Sequence, residues 1–147
     1  MASEFSSELA EDCLRMFFST DTTGFNFDTL GSTSLFVALT SGQTGVDGSL
    51  SAELANANNY ARVAVTFDSA SIQGVSGQPG SAQIQNNGAV QFAAFTGSIT
   101  GVDGFAICKS GTHGTSDVLC YGNITSIDID PGDTVTFADN AITIKLD

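Results

Sequence analysis

The sequence has 147 residues, a mass of 15.1 kDa, 41% hydrophobic residues and a mean hydropathy of +0.15. This length corresponds to a single domain, and this hydropathy excludes an intrinsically disordered chain. Sixteen acidic residues against four basic ones give a formal net charge of −12 at pH 7. Binding to nucleic acid or to an anionic membrane surface is therefore not expected, because both need clustered Lys and Arg side chains.

The first segment, residues 3–18, is predicted to be an amphipathic helix with Ser3 as its N-cap. Nothing near the start resembles a charged region followed by an apolar stretch, so we expect no secretory signal. The apolar residues that recur at three- and four-residue spacing are Phe5, Leu9, Cys13, Met16 and Phe17.

Residues 19–33 are rich in Ser, Thr, Asp and Gly, which predicts a loop. Phe25 and Phe27 are unusual in such a loop, and we expect them to dock on the core or on a neighbouring subunit.

The remainder, residues 34–147, shows a β pattern of short apolar or alternating runs separated by Gly-rich turns. This pattern predicts a mainly β domain, either a β-sandwich or a Greek-key barrel. In the run 60–67, Val63 and Val65 are predicted on one face and Arg62 on the other. The predicted strands are 34–40, 60–67, 82–85, 89–95, 105–109, 118–122, 134–138 and 141–146.

Turns and loops separate these strands. Asp139-Asn140 is predicted to close a hairpin between the last two strands, because Asn tolerates a positive φ. The pentapeptide Thr-Gly-Val-Asp-Gly occurs at 44–48 and 100–104, and we interpret both copies as turns. The long segments 41–59 and 69–80 are predicted to be loops with a functional role or flexibility.

No segment predicts a catalytic, cofactor-binding or metal site. His113 with Asp117 and a hydroxyl could form a triad, but no nucleophile elbow accompanies it, and we interpret His113 as a surface-loop residue. Asp128, Asp130 and Asp133 could ligate calcium, although their alternation with Ile favours the solvent face of a strand entering a turn. We therefore predict a binding or structural protein that needs no cofactor and is not an enzyme.

The three cysteines lie at positions 13, 108 and 120 and form no Cys-x-x-Cys motif. Buried free thiols are favoured, and a Cys108–Cys120 disulfide is the alternative. Reduced thiols are typical of a protein that folds in a cytoplasm.

Several segments together resemble small virion proteins of tailed bacteriophages, a family described both as tail-fibre-like and as capsid decoration proteins. The most specific is Tyr-Ala-Arg-x-x-x-x-Phe, which begins at Tyr60, and the chain closes with Gly-Asp-x-x-x-Phe, which begins at Gly132. The segments that carry the resemblance are 14–18, 35–40, 53–54, 59–67, 104–108, 118–122, 131–137 and 141–147.

The resemblance implies a virion structural protein that folds in the host cytoplasm and ends on the outer virion surface. Capsid decoration is the favoured function, with the major capsid protein and further copies of the chain, commonly a trimer, as partners. The alternative is a tail-fibre or tail-tip protein whose loops at 41–59, 69–80 and 110–117 contact a host receptor or glycan. The expected partner contacts are Phe5, Leu9, Phe17, Phe25 and Phe27.

Overall fold

The computed structural model describes residues 3–5, 34–42, 50–67, 73–74, 82–115 and 118–146. This part of the chain is mainly β, which confirms the predicted class, and it contains no α-helix. No helix of these residues therefore has the length and apolarity needed to cross a membrane. The strands are β1 (Ser3–Phe5), β2 (Leu35–Thr40), β3 (Val63–Val65), β4 (Gln73–Gly74), β5 (Ala82–Gln85), β6 (Val90–Gln91), β7 (Ile99–Cys108), β8 (Val118–Ile129), β9 (Thr136–Phe137) and β10 (Thr143–Leu146).

The central feature is a five-stranded antiparallel sheet of order β1-β8-β7-β2-β3. Alternate side chains of β2 enter two separate core clusters, with Val37 and Leu39 in one and Ala38 in the other. Because both faces of β2 are buried, its sequence is a continuous apolar run, as the sequence predicts for a central strand.

The larger core cluster lies between this sheet and two smaller sheets of order β10-β5-β4 and β6-β9. Phe105 of β7 packs against Phe137 of β9 with ring centroids 5.2 Å apart. Ile142, just before β10, is fully buried in the same cluster. None of the described sheets closes on itself, so the described residues do not form a barrel.

Strands β7 and β8 are longer than predicted. The second copy of the pentapeptide, residues 100–104, lies inside β7 and is not a turn. Its Gly101, with φ +69, coincides with a shift in the β7–β8 register, and its N–H donates to Oδ1 of Asp128 at 2.8 Å. A bulge absorbs the Gly conformation within a strand, which is why this composition does not end the strand here. The first copy, residues 44–48, lies outside the described residues.

The predicted hairpin between the last two strands is wrong, although its turn is present. Asn140 has φ 61, as predicted, but β9 pairs with β6 and β10 pairs with β5. The buried Asn86 separates the two strands. Its carbonyl accepts the Asn140 N–H, its Oδ1 accepts the Ile142 N–H, and its Nδ2 donates to the Ala138 carbonyl.

The structure describes three residues of the helix predicted over 3–18, Ser3–Phe5. Ser3–Phe5 form β1 and pair with Cys120–Gly122 of β8 instead of starting a helix. The backbone groups at the edge of β8 offer these residues a strand partner, which a local helical pattern does not take into account. The rest of the helix predicted over 3–18 and the loop predicted over 19–33 lie outside the described residues, together with Leu9, Phe17, Phe25 and Phe27.

Candidate functional site: the Arg62 clasp

A buried ion pair joins two loops beside the edge strand β3. Nε and Nη2 of Arg62 donate to Oε1 and Oε2 of Glu53 at 2.8 and 2.9 Å, and the two side chains are 0% and 2% exposed. The other guanidinium hydrogen bonds reach the Ser110 carbonyl at 2.8 Å and Thr115 Oγ1 and carbonyl at 3.1 and 3.2 Å. Every N–H of this guanidinium therefore has an acceptor. We call Glu53, Tyr60, Arg62 and the loop 110–115 the Arg62 clasp.

The Glu53 carboxylate accepts four hydrogen bonds from three residues. An isolated antiparallel bridge places Glu53 opposite Thr40, next to the central sheet. Besides the two Arg62 bonds, Oε1 accepts the Tyr60 hydroxyl at 3.1 Å and Oε2 accepts the Gly114 N–H at 3.0 Å. Burial alone would raise the pKa of Glu53, but these hydrogen bonds and the Arg62 charge outweigh it and lower the pKa below its usual value. Glu53 is therefore a carboxylate at neutral pH.

Tyr60 connects the clasp to the main core. Its hydroxyl accepts the Leu39 N–H at 3.0 Å, and its ring stacks on Phe92 with centroids 6.1 Å apart. Burial, together with the nearby negative charge of Glu53, raises the pKa of Tyr60 far above its ordinary value. The hydroxyl thus stays protonated and acts as a donor to Glu53.

His113 closes the loop 110–115 over the segment that carries Glu53. Its Nε2 lies 2.8 Å from the Leu54 carbonyl, which can only accept, so this nitrogen carries a hydrogen. The ring meets Tyr60 edge-on with centroids 6.2 Å apart, and the side chain is 33% exposed. His113 does lie in a loop, as predicted, but it is packed there and not freely exposed. Asp117, its suggested triad partner, lies outside the described residues.

The segment that follows Glu53 also contacts a third loop. The Asn58 carbonyl accepts the Thr96 N–H at 3.1 Å, and Asn59 Nδ2 donates to the Ala94 carbonyl at 2.9 Å. Asn58 and Asn59 have φ values of 54 and 65, a conformation that Asn tolerates better than most residues. Loops 53–59, 94–97 and 110–115 therefore form one hydrogen-bonded unit.

The alternation in 60–67 does not predict this arrangement. It assigns Arg62 to the polar face of a strand, whereas Arg62 is only 6% exposed and lies just before β3. A signal was present, because Glu53-Leu54 and Tyr60-Ala-Arg62 are both among the segments that carry the phage resemblance. Nothing in the spacing of nine residues shows that the two charges pair, since the intervening loop determines where they meet.

The three aspartates suggested as calcium ligands are engaged with the backbone or a hydroxyl. Asp128 accepts the Gly101 N–H, Asp133 accepts the Asp130 N–H at 3.0 Å, and Asp130 accepts the Ser98 hydroxyl at 3.4 Å. All three residues are exposed; the Asp128 bond joins β8 to β7, and the Asp133 bond lies in the turn after β8. Among the described residues, no group of three His, Cys, Asp or Glu side chains is placed to hold a metal ion.

Cys108 and Cys120 are both buried and free, as the favoured interpretation predicts. They belong to different core clusters, Cys120 to the larger and Cys108 to the smaller, which explains why they do not bridge. Burial raises the pKa of the Cys120 thiol to about 12.

The fold and the clasp define a mainly β, acidic domain in which a buried ion pair fastens loops together. Glu53 and Arg62 are hydrogen bonded to each other, and Glu53 also to Tyr60 and Gly114, so the Glu53 carboxylate is not a free base. The chain belongs to the family described as podophage GP4 fiber I protein gp80, whose model matches residues 4–145. This match confirms the bacteriophage resemblance and makes the protein a member of a fibre-like family of virion proteins. No curated protein matches the sequence.

Proposed function

We propose that this protein is a fibre component on the outer surface of a bacteriophage virion, where it presents a rigid loop surface to a host receptor. The observation that carries the proposal is the Arg62 clasp. It fastens loops 53–59 and 110–115, which belong to two of the three regions predicted as receptor contacts. The family description, a fibre protein, agrees with this role.

Rigid loops suit adhesion because binding then orders less of the protein. Fixing a free backbone costs about 1–2 kcal/mol per residue, and each immobilised long side chain adds about 0.5–1.5 kcal/mol. In this chain the clasp already orders the loops during folding. The receptor contacts themselves therefore determine the affinity.

The composition and the clasp also support proposals about chemistry and partners. We propose a protein that is not an enzyme, uses no cofactor and binds other virion proteins and copies of itself, as a trimer. Contacts with nucleic acid or membranes are not part of this function, because Arg62, one of only four basic residues, is buried against Glu53. Folding in the host cytoplasm fits the free, buried Cys108 and Cys120.

Capsid decoration is the second candidate. We propose that the central sheet and the two smaller sheets are the layers of a β-sandwich, because the larger core cluster lies between them. Such a compact module, with no shaft-like repeat among its described residues, can sit on a head as well as on a tail tip. On a head it would bind the major capsid protein and stabilise the shell through contacts repeated by symmetry. Phe5, Leu9, Phe17, Phe25 and Phe27 remain the proposed contact residues for either location.

An adsorption assay separates the two candidates. Host cells are incubated with the purified protein, and the rate at which phage then adsorbs is measured. A receptor-binding fibre component reduces adsorption in a dose-dependent manner, whereas the same protein unfolded by heat does not. Unchanged adsorption at saturating protein, combined with heads that break at a lower temperature when the protein is missing, would overturn the fibre proposal in favour of decoration.

A further inference from the structure

Asn87 and Gly88 lie in an exposed turn between β5 and β6, and they are the one Asn-Gly pair of the sequence. In such a pair the backbone nitrogen of the glycine can attack the side-chain amide carbon of the asparagine, which closes a succinimide ring and releases ammonia. Glycine favours this step because it has no Cβ to hinder the approach. Apart from its chain neighbours, no described atom lies within 4 Å of the place where a Cβ of Gly88 would be, so the nitrogen is accessible from this side.

The side chain of Asn87 is also free to turn towards that nitrogen. The residue is exposed, and its side-chain amide makes no hydrogen bond to another described residue. The preceding Asn86 differs, because its amide group binds the Ile142 N–H and the Ala138 carbonyl and is buried. Of these two adjacent asparagines, only Asn87 can therefore bring its amide carbon to the next backbone nitrogen.

The peptide group between Asn87 and Gly88 is hydrogen bonded at both of its ends. The Gly88 N–H donates to Asp139 Oδ1 at 2.7 Å, and the Asn87 carbonyl accepts the Thr66 hydroxyl at 3.0 Å. A peptide nitrogen becomes a nucleophile when it loses its hydrogen, and a carboxylate at this distance is placed to accept it. The Thr66 hydroxyl stabilises the negative charge that the carbonyl oxygen then acquires.

We propose that Asn87 is a self-modification site, at which the folded turn converts the asparagine to aspartate or isoaspartate with Asp139 as the general base. Asp139 takes the hydrogen from the Gly88 nitrogen, this nitrogen forms a bond to Cγ of Asn87, and the bond from Cγ to Nδ2 breaks. The leaving nitrogen departs as ammonia, with its own two hydrogens and the proton held by Asp139. Water then opens the ring at either carbonyl, and opening at the original backbone carbonyl gives isoaspartate.

The modification changes both the charge and the main chain of this turn. Either product adds a negative charge near Asp139, and isoaspartate also lengthens the main chain by routing it through Cγ. The turn depends on its backbone geometry, because the Asn87 N–H binds the Thr66 carbonyl and the Asn86 amide binds the Gly88 carbonyl, each at 2.8 Å. A longer main chain moves these groups apart, so the modified protein is expected to unfold at a lower urea concentration.

The test follows every Asn-containing peptide by mass spectrometry while the purified protein is kept at slightly alkaline pH for several weeks. Deamidation raises the mass of a peptide, and chromatography separates the aspartate and isoaspartate forms. The proposal predicts that Asn87 is modified before every other asparagine. An unmodified Asn87, or earlier modification of another asparagine, would overturn it.

A matched pair of variants tests the role of Asp139. In Asp139→Asn the side-chain oxygen still accepts the Gly88 N–H, but a neutral amide is not a base. The rate at Asn87 is expected to fall by about three- to tenfold, less than a general base usually contributes, because a carboxylate is a weak base at neutral pH. The control is Asp128→Asn, which makes the same change at the same kind of bond, from the Gly101 N–H at 2.8 Å, and leaves the rate unchanged.

Two outcomes of this comparison would contradict the general base. One is a rate in folded Asp139→Asn equal to or above that of the native protein. The other is a slower rate that persists in urea, since without the folded turn the two chains are expected to react equally.

Asn87→Gln tests the effect of the modification on stability. Its longer side chain closes the corresponding ring much more slowly, so the urea midpoint is expected to fall during incubation in the native protein and to stay constant in this variant. Equal falls in both proteins would contradict the expected effect on the turn.

Discussion

Replacing Arg62 with Met tests the clasp as the element that holds the loops. The substitution keeps an unbranched side chain in the same space but removes the hydrogen bonds to Glu53, Ser110 and Thr115. It also leaves the Glu53 carboxylate buried without its counter-ion. Removing one partner of a buried ion pair costs about 3–5 kcal/mol, mostly because of the charge that remains.

This loss is a large part of the free energy of unfolding of a domain of this size. Small globular proteins are stable by about 5–15 kcal/mol, and for chains of about 150 residues a loss of this size lowers Tm by about 10 °C. The double variant sharpens the prediction. Glu53→Gln destabilises the native protein, but in the R62M background it recovers part of the loss, because it removes the unpaired charge and keeps one oxygen as an acceptor for either Tyr60 or Gly114.

The assay is urea unfolding followed by far-ultraviolet circular dichroism, since the chain has no Trp for fluorescence. Lys145→Met is the control: it removes the same charge from a partly exposed side chain, and the expected change is within about 0.5 kcal/mol. A midpoint for R62M equal to that of K145M would refute the reasoning. So would a Glu53→Gln effect with the same sign and size in both backgrounds.

Three further predictions concern single groups. Because the folded-state pKa of Glu53 is lowered, its contribution to stability is present above the unfolded pKa near 4.5 and is lost as pH falls through the folded pKa. The native protein is therefore expected to lose more free energy of unfolding between pH 5 and 3 than the E53Q variant. Parallel plots of the free energy of unfolding against pH for the two proteins would contradict this. Thr40 Oγ1 is buried without a hydrogen-bond partner among the described residues, so Thr40→Val, nearly identical in shape, raises the free energy of unfolding by about 1 kcal/mol, and a lower urea midpoint would oppose it. Cys120, with a pKa of about 12, resists iodoacetamide at pH 8 until the protein unfolds, and mass spectrometry showing its alkylation in the native state would count against its burial.

Local pattern was enough to predict the β class and several strands of this protein. The apolar run of β2 and the strand Ala82–Gln85 follow from composition and alternation alone. The positive φ of Asn140 also follows from the turn chemistry of Asp-Asn. These features depend on residues close together in the chain, which is why the sequence predicts them.

The features that the sequence did not predict depend on distant residues. The pairing of β9 and β10 with different sheets depends on the bonds from Asn86 to Ala138 and Ile142, which lie more than 50 positions away. The burial of Arg62 likewise depends on Glu53 and on a loop 48 positions further along, at Ser110. Strand alternation measures only the local period, so it assigned this Arg to solvent.

The most direct test of the account is the position of the protein on the virion. Immunogold electron microscopy of intact virions, with antibody raised against the purified chain, measures where the gold particles lie. The account predicts gold on the tail or its fibres, and addition of the soluble protein during labelling removes it. Gold spread over the head would contradict the fibre function and establish decoration of the capsid instead.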